Sequence, residues 1–360
     1  MNAPASGDAL DPRPQPKAPR GLGIGVVGSG NIVENAHLPS YQAAGFRVAA
    51  ITSRTEANAR RVAKARGVER VHPSVEALTQ DPGVDIVDVA LPPDLQPAVV
   101  MQAIRAGKHV LAQKPLATTY RDAVAMVEAA DRAGVTLAVN QNGRWDPSIN
   151  AAKTLIAEGI LGERLLATMT MHITMPWQTY YRNPRYGRLM ILHMSVHHID
   201  QMRVLFGDPA RVSAHARKTP RQEQFGETIA QYALLYEDGF VASSVDDGVD
   251  WSTDFGIRYR IQGTEGLMLG EIGWPHLTHS TLRIQRRGEE AWAEPRFSRM
   301  WFPDAFSATM GELMCAVEEG RQPSNSGSDN LGTMRAVMAA YRSIDEKRQV
   351  GLDEISAEHD

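Results

Sequence analysis

Cysteine is nearly absent from this 360-residue chain: Cys315 stands alone, so no disulfide can form within it. Nothing points to an oxidising compartment, and the expectation is a cytoplasmic protein. Long hydrophobic runs are missing as well; no apolar stretch approaches the ~20 residues that span a bilayer, and no membrane partner is expected. Positive charge is not in excess. Lys and Arg number 38 against 42 Asp and Glu, a net charge of −4, which argues against a nucleic-acid-binding surface. Residues 1–20, rich in Ala and Pro, lack the apolar block of a secretion signal. They read as a flexible tail, or alternatively as an arm that embraces a partner subunit. What is present is 43% hydrophobic and 22% charged, a composition suited to a globular protein of about two domains.

The most informative stretch runs from Gly23 to Pro39, GIGVVGSGNIVENAHLP. An apolar run, Ile24–Val27, breaks into Gly28-Ser29-Gly30 and then into a segment able to begin a helix. A strand feeding a Gly-rich turn and a helix N-terminus can hold a pyrophosphate, because small residues let the backbone approach and its N–H groups point at the anion. Val33 stands where the full fingerprint has a third glycine. From this segment alone, a plain strand–turn–helix corner is the competing reading.

Beyond Gly21 strands and helices alternate. Strand-like runs at Phe46–Thr52, Ile86–Leu91, His109–Ala112 and Thr136–Asn140 are separated by helical patterns at Asn35–Ala44 (with a kink at Pro39), Glu56–Arg66, Val75–Thr79, Asp94–Ala106 and Tyr120–Ala133. That order predicts a parallel sheet covered on both faces, and the apolar continuity of VDIVDVALP and GKHVLAQ fits buried strands. After Asn140 the texture changes. A helix at Pro147–Gly159 precedes long strand-like stretches at Arg164–Met175, Arg211–Ala216, Ile229–Tyr236, Phe240–Asp246, Arg258–Gln262, Leu267–Gly270 and Thr281–Arg286. A helix at Met194–Phe206 sits among them, and helices at Ala305–Glu319 and Asn330–Lys347 close the chain. The fold class expected is α/β followed by α+β: a dinucleotide-binding Rossmann domain over 21–142, then 143–360 with a large, open, mainly antiparallel sheet, the last helices packing back on the first domain.

GKHVLAQKPLA (Gly107–Ala117) resembles the signature of the glucose–fructose oxidoreductase / inositol dehydrogenase / rhizopine-catabolism (Gfo/Idh/MocA) oxidoreductase family. The resemblance extends to the Gly28-x-Gly30 loop, VDIVDVALPP, NQNGRWDP, EGILGE, VHHIDQMRVLFGDP and PSNSGSDNLGTMRAVMAAYRS, in that order along nearly the whole chain. It implies a Rossmann domain, a C-terminal α+β domain, and a homodimer or homotetramer built through the C-terminal sheet. The usual Glu-Lys-Pro motif reads Gln113-Lys114-Pro115 here. The resemblance puts Lys114 beside the nicotinamide ribose and the reacting hydroxyl, where an ammonium lowers the cost of an incipient alkoxide. Read by spacing alone, Lys114 is a surface lysine before a turn.

The family's Asp-x-x-x-His helix appears as His193-Met-Ser-Val-His197. His197 matches the family histidine, the candidate general base. His193 replaces the Asp, and residues at i and i+4 share a helix face, so the two rings form a relay or His193 binds substrate. Such a pair also permits zinc, but no His-Glu-x-x-His pattern or Cys cluster accompanies it, and no metal is expected. His198 and Asp200 read as structural, with Asp200, which matches a common family acidic position, lining the pocket as the alternative.

The resemblance implies a cofactor site of Gly28, Gly30, Asn31 and Ile32 at the loop, Ser53 and Arg54 after the second strand, Leu91 and Pro92 after the third, Gln113 and Lys114, and Asn142. NAD-specific folds carry an acidic residue after the second strand. Here Ser53-Arg54-Thr55 offers a hydroxyl and a guanidinium, which suit a 2′-phosphate and favour NADP over NAD; Arg54 stacked on adenine is the alternative. Substrate contacts are expected from Lys114, Arg144, Trp145, His193 and His197, and from Trp177 and Tyr180 in MPWQTYYRNPRYGR, where Tyr181, Arg182 and Tyr186 add to an aromatic, donor-rich stretch suited to a sugar ring. A loop packed on the core or on a subunit is the plainer reading of that stretch. Trp251, Trp274, His276 and His279 are not placed by the sequence. The activity expected is hydride transfer between a hydroxyl carbon of a sugar, sugar derivative or cyclitol and a nicotinamide. The alternatives are a hydrolase or lyase that oxidises its sugar transiently with retained NAD, and a non-catalytic nucleotide sensor.

Overall fold

A strand buried on both faces opens the architecture: Gly23–Val27 (β1) has no exposed residue. The computed structural model describes residues 7–175, 187–220, 226–276 and 278–358. The chain divides into two compact units, one of residues 13–142, 302–334 and 357–360, the other of residues 1–12, 143–301 and 335–356.

In the first unit β1 lies at the centre of a parallel sheet with Arg47–Thr52 (β2), Arg70–Val71 (β3), Ile86–Val89 (β4), His109–Ala112 (β5) and Leu137–Val139 (β6). The strand order is β3-β2-β1-β4-β5-β6. That order reverses direction between β1 and β4, and the carboxyl ends of those two strands are where such a sheet opens a crevice. The short β3 was not foreseen in the sequence; its two residues are too few to show a period. The crossover helices carry the local signals that make them. Thr119 accepts from the Asp122 N–H and Ser74 from that of Ala77, while Gly67 and Gly134 end their helices in the left-handed conformation. The far edge of the sheet is covered, since the Val139 N–H donates to Asn325 O and the Asn325 side-chain amide donates to Val139 O. The helix Ala305–Glu319 completes the core, with Met310, Leu313 and Met314 clustered with Ile24, Leu38, Tyr41 and Phe46. The span 302–334 thus clusters with this unit.

The second unit is built on an eight-stranded sheet of order β13-β12-β11-β7-β10-β9-β8-β14. Its strands are Arg164–His172 (β7), Arg211–Arg217 (β8), Ile229–Leu235 (β9), Val241–Asp247 (β10), Gly256–Gly263 (β11), Gly266–Ile272 (β12), Thr281–Arg286 (β13) and Val350–Gly351 (β14). All neighbours pair antiparallel except β7 and β10. Strands β9, β10 and β12 alternate between buried and less buried residues, the mark of a sheet with one covered face. The helices Pro147–Ala157 and Val196–Phe206 belong to this unit.

Three expectations require correction. Residues 7–20 are not a loose tail. Asp11 is buried and accepts from the Asn150 amide at 2.9 Å, and the Lys17 and Ala18 N–H groups donate to Glu318 at 2.8 and 3.1 Å. Proline already restricts the backbone there, so ordering it costs less entropy. Second, Pro39 does not kink its helix. The segment widens to a π-turn over Val33–His37 before the helix Leu38–Ala43, with Pro39 in its first turn, where a missing N–H is harmless. Third, β7 ends at His172, short of Met175, although Thr174 still bridges to Val249.

Candidate functional site

The Gly turn stands at the crevice end of β1. Gly28 has φ +122°, and a Cβ there would come within 2.5 Å of the Ala90 carbonyl oxygen. Its glycine is therefore demanded by the close approach of the segment after β4. Gly30 differs: it is exposed, and a Cβ there would meet nothing within 4 Å. The turn thus leaves open space in front of the backbone at the start of a helix, which fits a pyrophosphate cradle. Ser29 is braced behind it, its hydroxyl donating to Ser53 Oγ at 2.9 Å while the Asn58 amide donates to Ser29 O and Oγ at 2.7 Å. Asn31 is exposed and Ile32 half-buried. Beyond β2, Ser53 is half-buried, and Arg54 is exposed with no hydrogen bond or ion pair to the described residues. Arg61 nearby is already committed, its guanidinium donating to both Glu34 oxygens at 2.6 and 2.7 Å. Past β4, Leu91 is half-buried and Pro92 exposed.

The turn bearing Lys114 is held from inside. Gln96, fully buried, donates to the carbonyls of Gln113, Pro115 and Leu116 at 2.7, 3.1 and 2.9 Å, and accepts from the Gln113 N–H at 2.7 Å. The Gln113 side chain accepts from the Lys114 N–H at 2.9 Å. Lys114 itself is half-buried, and desolvation pulls its ammonium down to about 8, since low-polarity surroundings disfavour the charged form. Beneath the turn lies a polar cluster that the sequence reading missed: His37, Tyr41, Asp88 and Asn140 are all 1% exposed or less. His37 Nδ1 is 2.7 Å from Asp88 Oδ2, and the Tyr41 hydroxyl donates to the same oxygen at 2.9 Å. The available signal was Asp88 itself, a carboxylate in the middle of an otherwise apolar buried strand, which must find partners.

The second unit carries the histidines. His193 lies in a wide π-turn, Ile191–Ser195, and the regular helix begins only at Val196. The relation of His193 to His197 therefore runs from a widened turn into a regular helix rather than along one α-helix. Buried Glu227 fixes the turn by accepting from the Leu189 and Ile191 N–H groups at 3.1 Å and from the Tyr341 hydroxyl at 2.6 Å. Burial raises its carboxyl pKa against the lowering effect of those bonds. His193 and His197 are both buried, at 2% and 6% exposure. The His197 ring stands edge-on to Trp301 at 5.6 Å, and Trp301 in turn to Trp274 at 5.9 Å. Gly143 runs close by: a Cβ there would lie 3.3 Å from His197 Nδ1.

Arg144 is spent internally, its Nε and Nη2 donating to the two Asp200 oxygens at 2.7 Å each. A buried guanidinium requires such a counter-charge, and this gives the pair a structural task. Trp145 is 8% exposed; Asn142 is buried in the first unit. His198 pairs with Asp246 at 2.9 Å. Trp251 is 92% exposed, while His279 Nε2 reaches Ser298 O at 3.3 Å and His276 packs against Phe255 at 6.1 Å. Trp177, Tyr180, Tyr181, Arg182 and Tyr186 lie outside the described residues. Among the described residues no group of three or more His, Cys, Asp or Glu is placed to hold a metal ion, and no helix is long and apolar enough to cross a membrane.

Comparison with known proteins bears on both units. Residues 22–141 match the description "oxidoreductase family, NAD-binding Rossmann fold", and residues 153–352 match "oxidoreductase family, C-terminal alpha/beta domain". Similar proteins include D-apiose dehydrogenase of Paraburkholderia graminis, 27% identical over 92% of this chain and 90% of that protein. Another is scyllo-inositol 2-dehydrogenase (NADP(+)) of Bacillus subtilis, 31% identical over 84% of this chain and 87% of that protein. The crystal structure of an oxidoreductase from Agrobacterium radiobacter in complex with NAD+, L-tartaric acid and magnesium superposes with a TM-score of 0.82, at 25% identity, covering 92% of this chain and 99% of that one.

Proposed function

We propose, from the premise that this chain belongs to the Gfo/Idh/MocA oxidoreductase family, that it is an NADP-preferring dehydrogenase or reductase of a sugar, sugar derivative or cyclitol. The observation that carries this reading is the open Gly30 turn at the reversal point of a β3-β2-β1-β4-β5-β6 sheet, in a chain whose similar proteins act, by name, on D-apiose and scyllo-inositol. The nicotinamide, when bound, supplies the hydride acceptor or donor. The protein's part is to hold the cofactor and move a proton. The loop N–H groups after Gly30 bind the pyrophosphate, with Leu91, Pro92 and Asn142 completing the cofactor contacts. Arg54, exposed and without a partner among the described residues, binds a 2′-phosphate beside the Ser53 hydroxyl.

On this reading Lys114 donates a hydrogen bond to the substrate oxygen and steadies its developing negative charge. His197 accepts the hydroxyl proton in oxidation and returns it in reduction. His193 contacts substrate, as do Trp145 and, from the stretch outside the described residues, Trp177 and Tyr180. Arg144 contributes through Asp200. The less buried face of the eight-stranded sheet, with Thr168, Thr170, Arg258 and Arg260, is the surface proposed for a homodimer or homotetramer, to be checked by light scattering. The functional test is a panel of sugars, cyclitols and glycosides assayed by nicotinamide absorbance with each cofactor. Turnover with net cofactor reduction, faster with NADP, is the expected result. A tightly retained cofactor with product formed but no net absorbance change would replace this reading by transient-oxidation chemistry.

A further inference from the structure

The ring protons of His37 can be assigned completely from its neighbours, and the assignment explains residue 113. A backbone N–H only donates, so the Gln113 atom 2.9 Å from the Lys114 N–H is the carbonyl oxygen Oε1. The amide nitrogen of Gln113 therefore points the other way, and it lies 3.1 Å from His37 Nε2. An amide NH2 also only donates, so Nε2 is the acceptor and carries no proton. The Asn140 amide nitrogen, 3.4 Å from the same atom, agrees. On the opposite side Nδ1 is 2.7 Å from Asp88 Oδ2, and a carboxylate accepts, so Nδ1 holds the proton. Also beside the ring are the Tyr41 hydroxyl, which donates to Asp88 and lies 3.4 Å from Nδ1, and the Phe306 ring at 4.9 Å.

We propose that Asp88 and His37 are positioning residues for Lys114: a neutral, Nδ1-protonated His37 locks the Gln113 amide, and Gln113 holds the lysine's backbone, so glutamine stands at 113 because a carboxylate cannot donate to His37 Nε2. The proposal rests on the reading of Lys114 as the group that meets the substrate oxygen. The proton assignment itself does not.

The consequence is a set of ring states that a merely structural packing role would not produce. Gln113→Glu places an acceptor on each side of His37, and the ring satisfies both only by taking a second proton. Asp88→Asn together with Gln113→Glu exchanges carboxylate and amide across the ring, which then returns to neutral with its proton moved to Nε2. Asp88→Asn alone leaves the proton on Nδ1, because the new amide oxygen accepts it while Gln113 still occupies Nε2.

The experiment is 15N NMR of the histidine rings in the cofactor-free full chain, with the His37 signals assigned by His37→Gln. The expected ring states at neutral pH are neutral Nδ1–H in wild type and Asp88→Asn, cationic in Gln113→Glu, and neutral Nε2–H in the exchanged pair. Kinetics add a second readout. His37→Ala, which frees the Gln113 amide, should lower kcat by about tenfold while the Kd of the cofactor is unchanged. A cationic or Nε2–H ring in wild type overturns the proposal, as does a tautomer switch in Asp88→Asn. So does a Gln113→Glu protein whose ring stays neutral. If Gln113→Glu does not fold, the wild-type and Asp88→Asn spectra still decide. Absence of turnover with every sugar tested would refute the proposed function and leave the ring assignments readable, so the two failures are distinct.

Discussion

Each unit buries a His–Asp pair of nearly the same geometry, and the two differ in what the pair is attached to. In the eight-stranded unit, Asp246 accepts from His198 at 2.9 Å, Ser244 at 2.8 Å, Tyr232 at 3.2 Å and the Ser195 hydroxyl. Burial alone would push its carboxyl pKa up, yet His198 and the hydroxyls hold it below the usual range. That carboxylate is a closed hub, pinning the helix Val196–Phe206 to β9 and β10. In the Rossmann unit, Asp88 Oδ2 receives His37 and Tyr41, and its other oxygen has no hydrogen-bond partner among the described residues. The far side of His37 continues to Gln113 and the Lys114 backbone. A saturated pair is a clamp. A pair with an open far side transmits orientation.

The contrast is sharpest if rate and stability separate. Lys114→Met, at the end of the open chain, should lower kcat by about 10³-fold, with stability unchanged or raised because a desolvated ammonium is gone; steady-state kinetics and urea unfolding measure the two. His197→Ala belongs to the same class, with an expected loss of about 10²-fold or more in kcat and cofactor affinity preserved. Near-wild-type rates in both would break the proposed roles.

Asp246→Ala should appear in stability first, at about 3–5 kcal/mol in denaturant unfolding, since it strands a buried imidazole and three hydroxyls. Asp88→Asn keeps an acceptor for His37, and only about 1 kcal/mol is expected. Equal losses for the two would erase the distinction between hub and chain.

The pH dependence follows from the direction of the Lys114 shift. Desolvation lowers its pKa to about 8, so the ammonium is present below that pH and lost above it. The kcat/KM profile should show an alkaline limb near there. In Lys114→Arg, whose guanidinium stays charged, the residual activity should lack that limb. For stability the sign is opposite: the folded pKa lies below the unfolded one, so the cost of burying the ammonium is relieved as pH rises between them. The smallest effect concerns the cofactor. Arg54→Ala should weaken NADP binding by about tenfold, roughly 1.4 kcal/mol, and leave NAD binding unchanged, as measured by fluorescence titration. An unaltered preference would remove Arg54 from the 2′-phosphate role.

The Gly28–Gly30 turn, the QKP turn and His197 were legible because each couples a residue type to a local pattern: strand then glycines, strand then Lys-Pro, histidine within a buried helix. The strands between Ile24 and Val139 were legible because parallel strands buried on both faces read as continuous apolar runs. The short edge strands β3 and β14 were not, since two residues show no period. The packing of residues 7–20 was hidden by a composition that resembles a linker, while its anchors, Asn150 and Glu318, lie far along the chain. The His37–Asp88–Gln113 connection joins three segments, none of which names the other two.

Local chemistry along the chain settled the class of this protein: a parallel βα succession with a Gly turn and a lysine turn, then a large sheet accompanied by a histidine-bearing helix. Folding in three dimensions decided what those side chains are attached to. It placed Asp88 under His37, spent Arg144 on Asp200, and put His193 in a widened turn rather than on a regular helix face. Hydrogen-bond direction and burial are properties of pairs brought together from distant segments. Periodicity belongs to one segment at a time, and for that reason it reveals elements but not their partners.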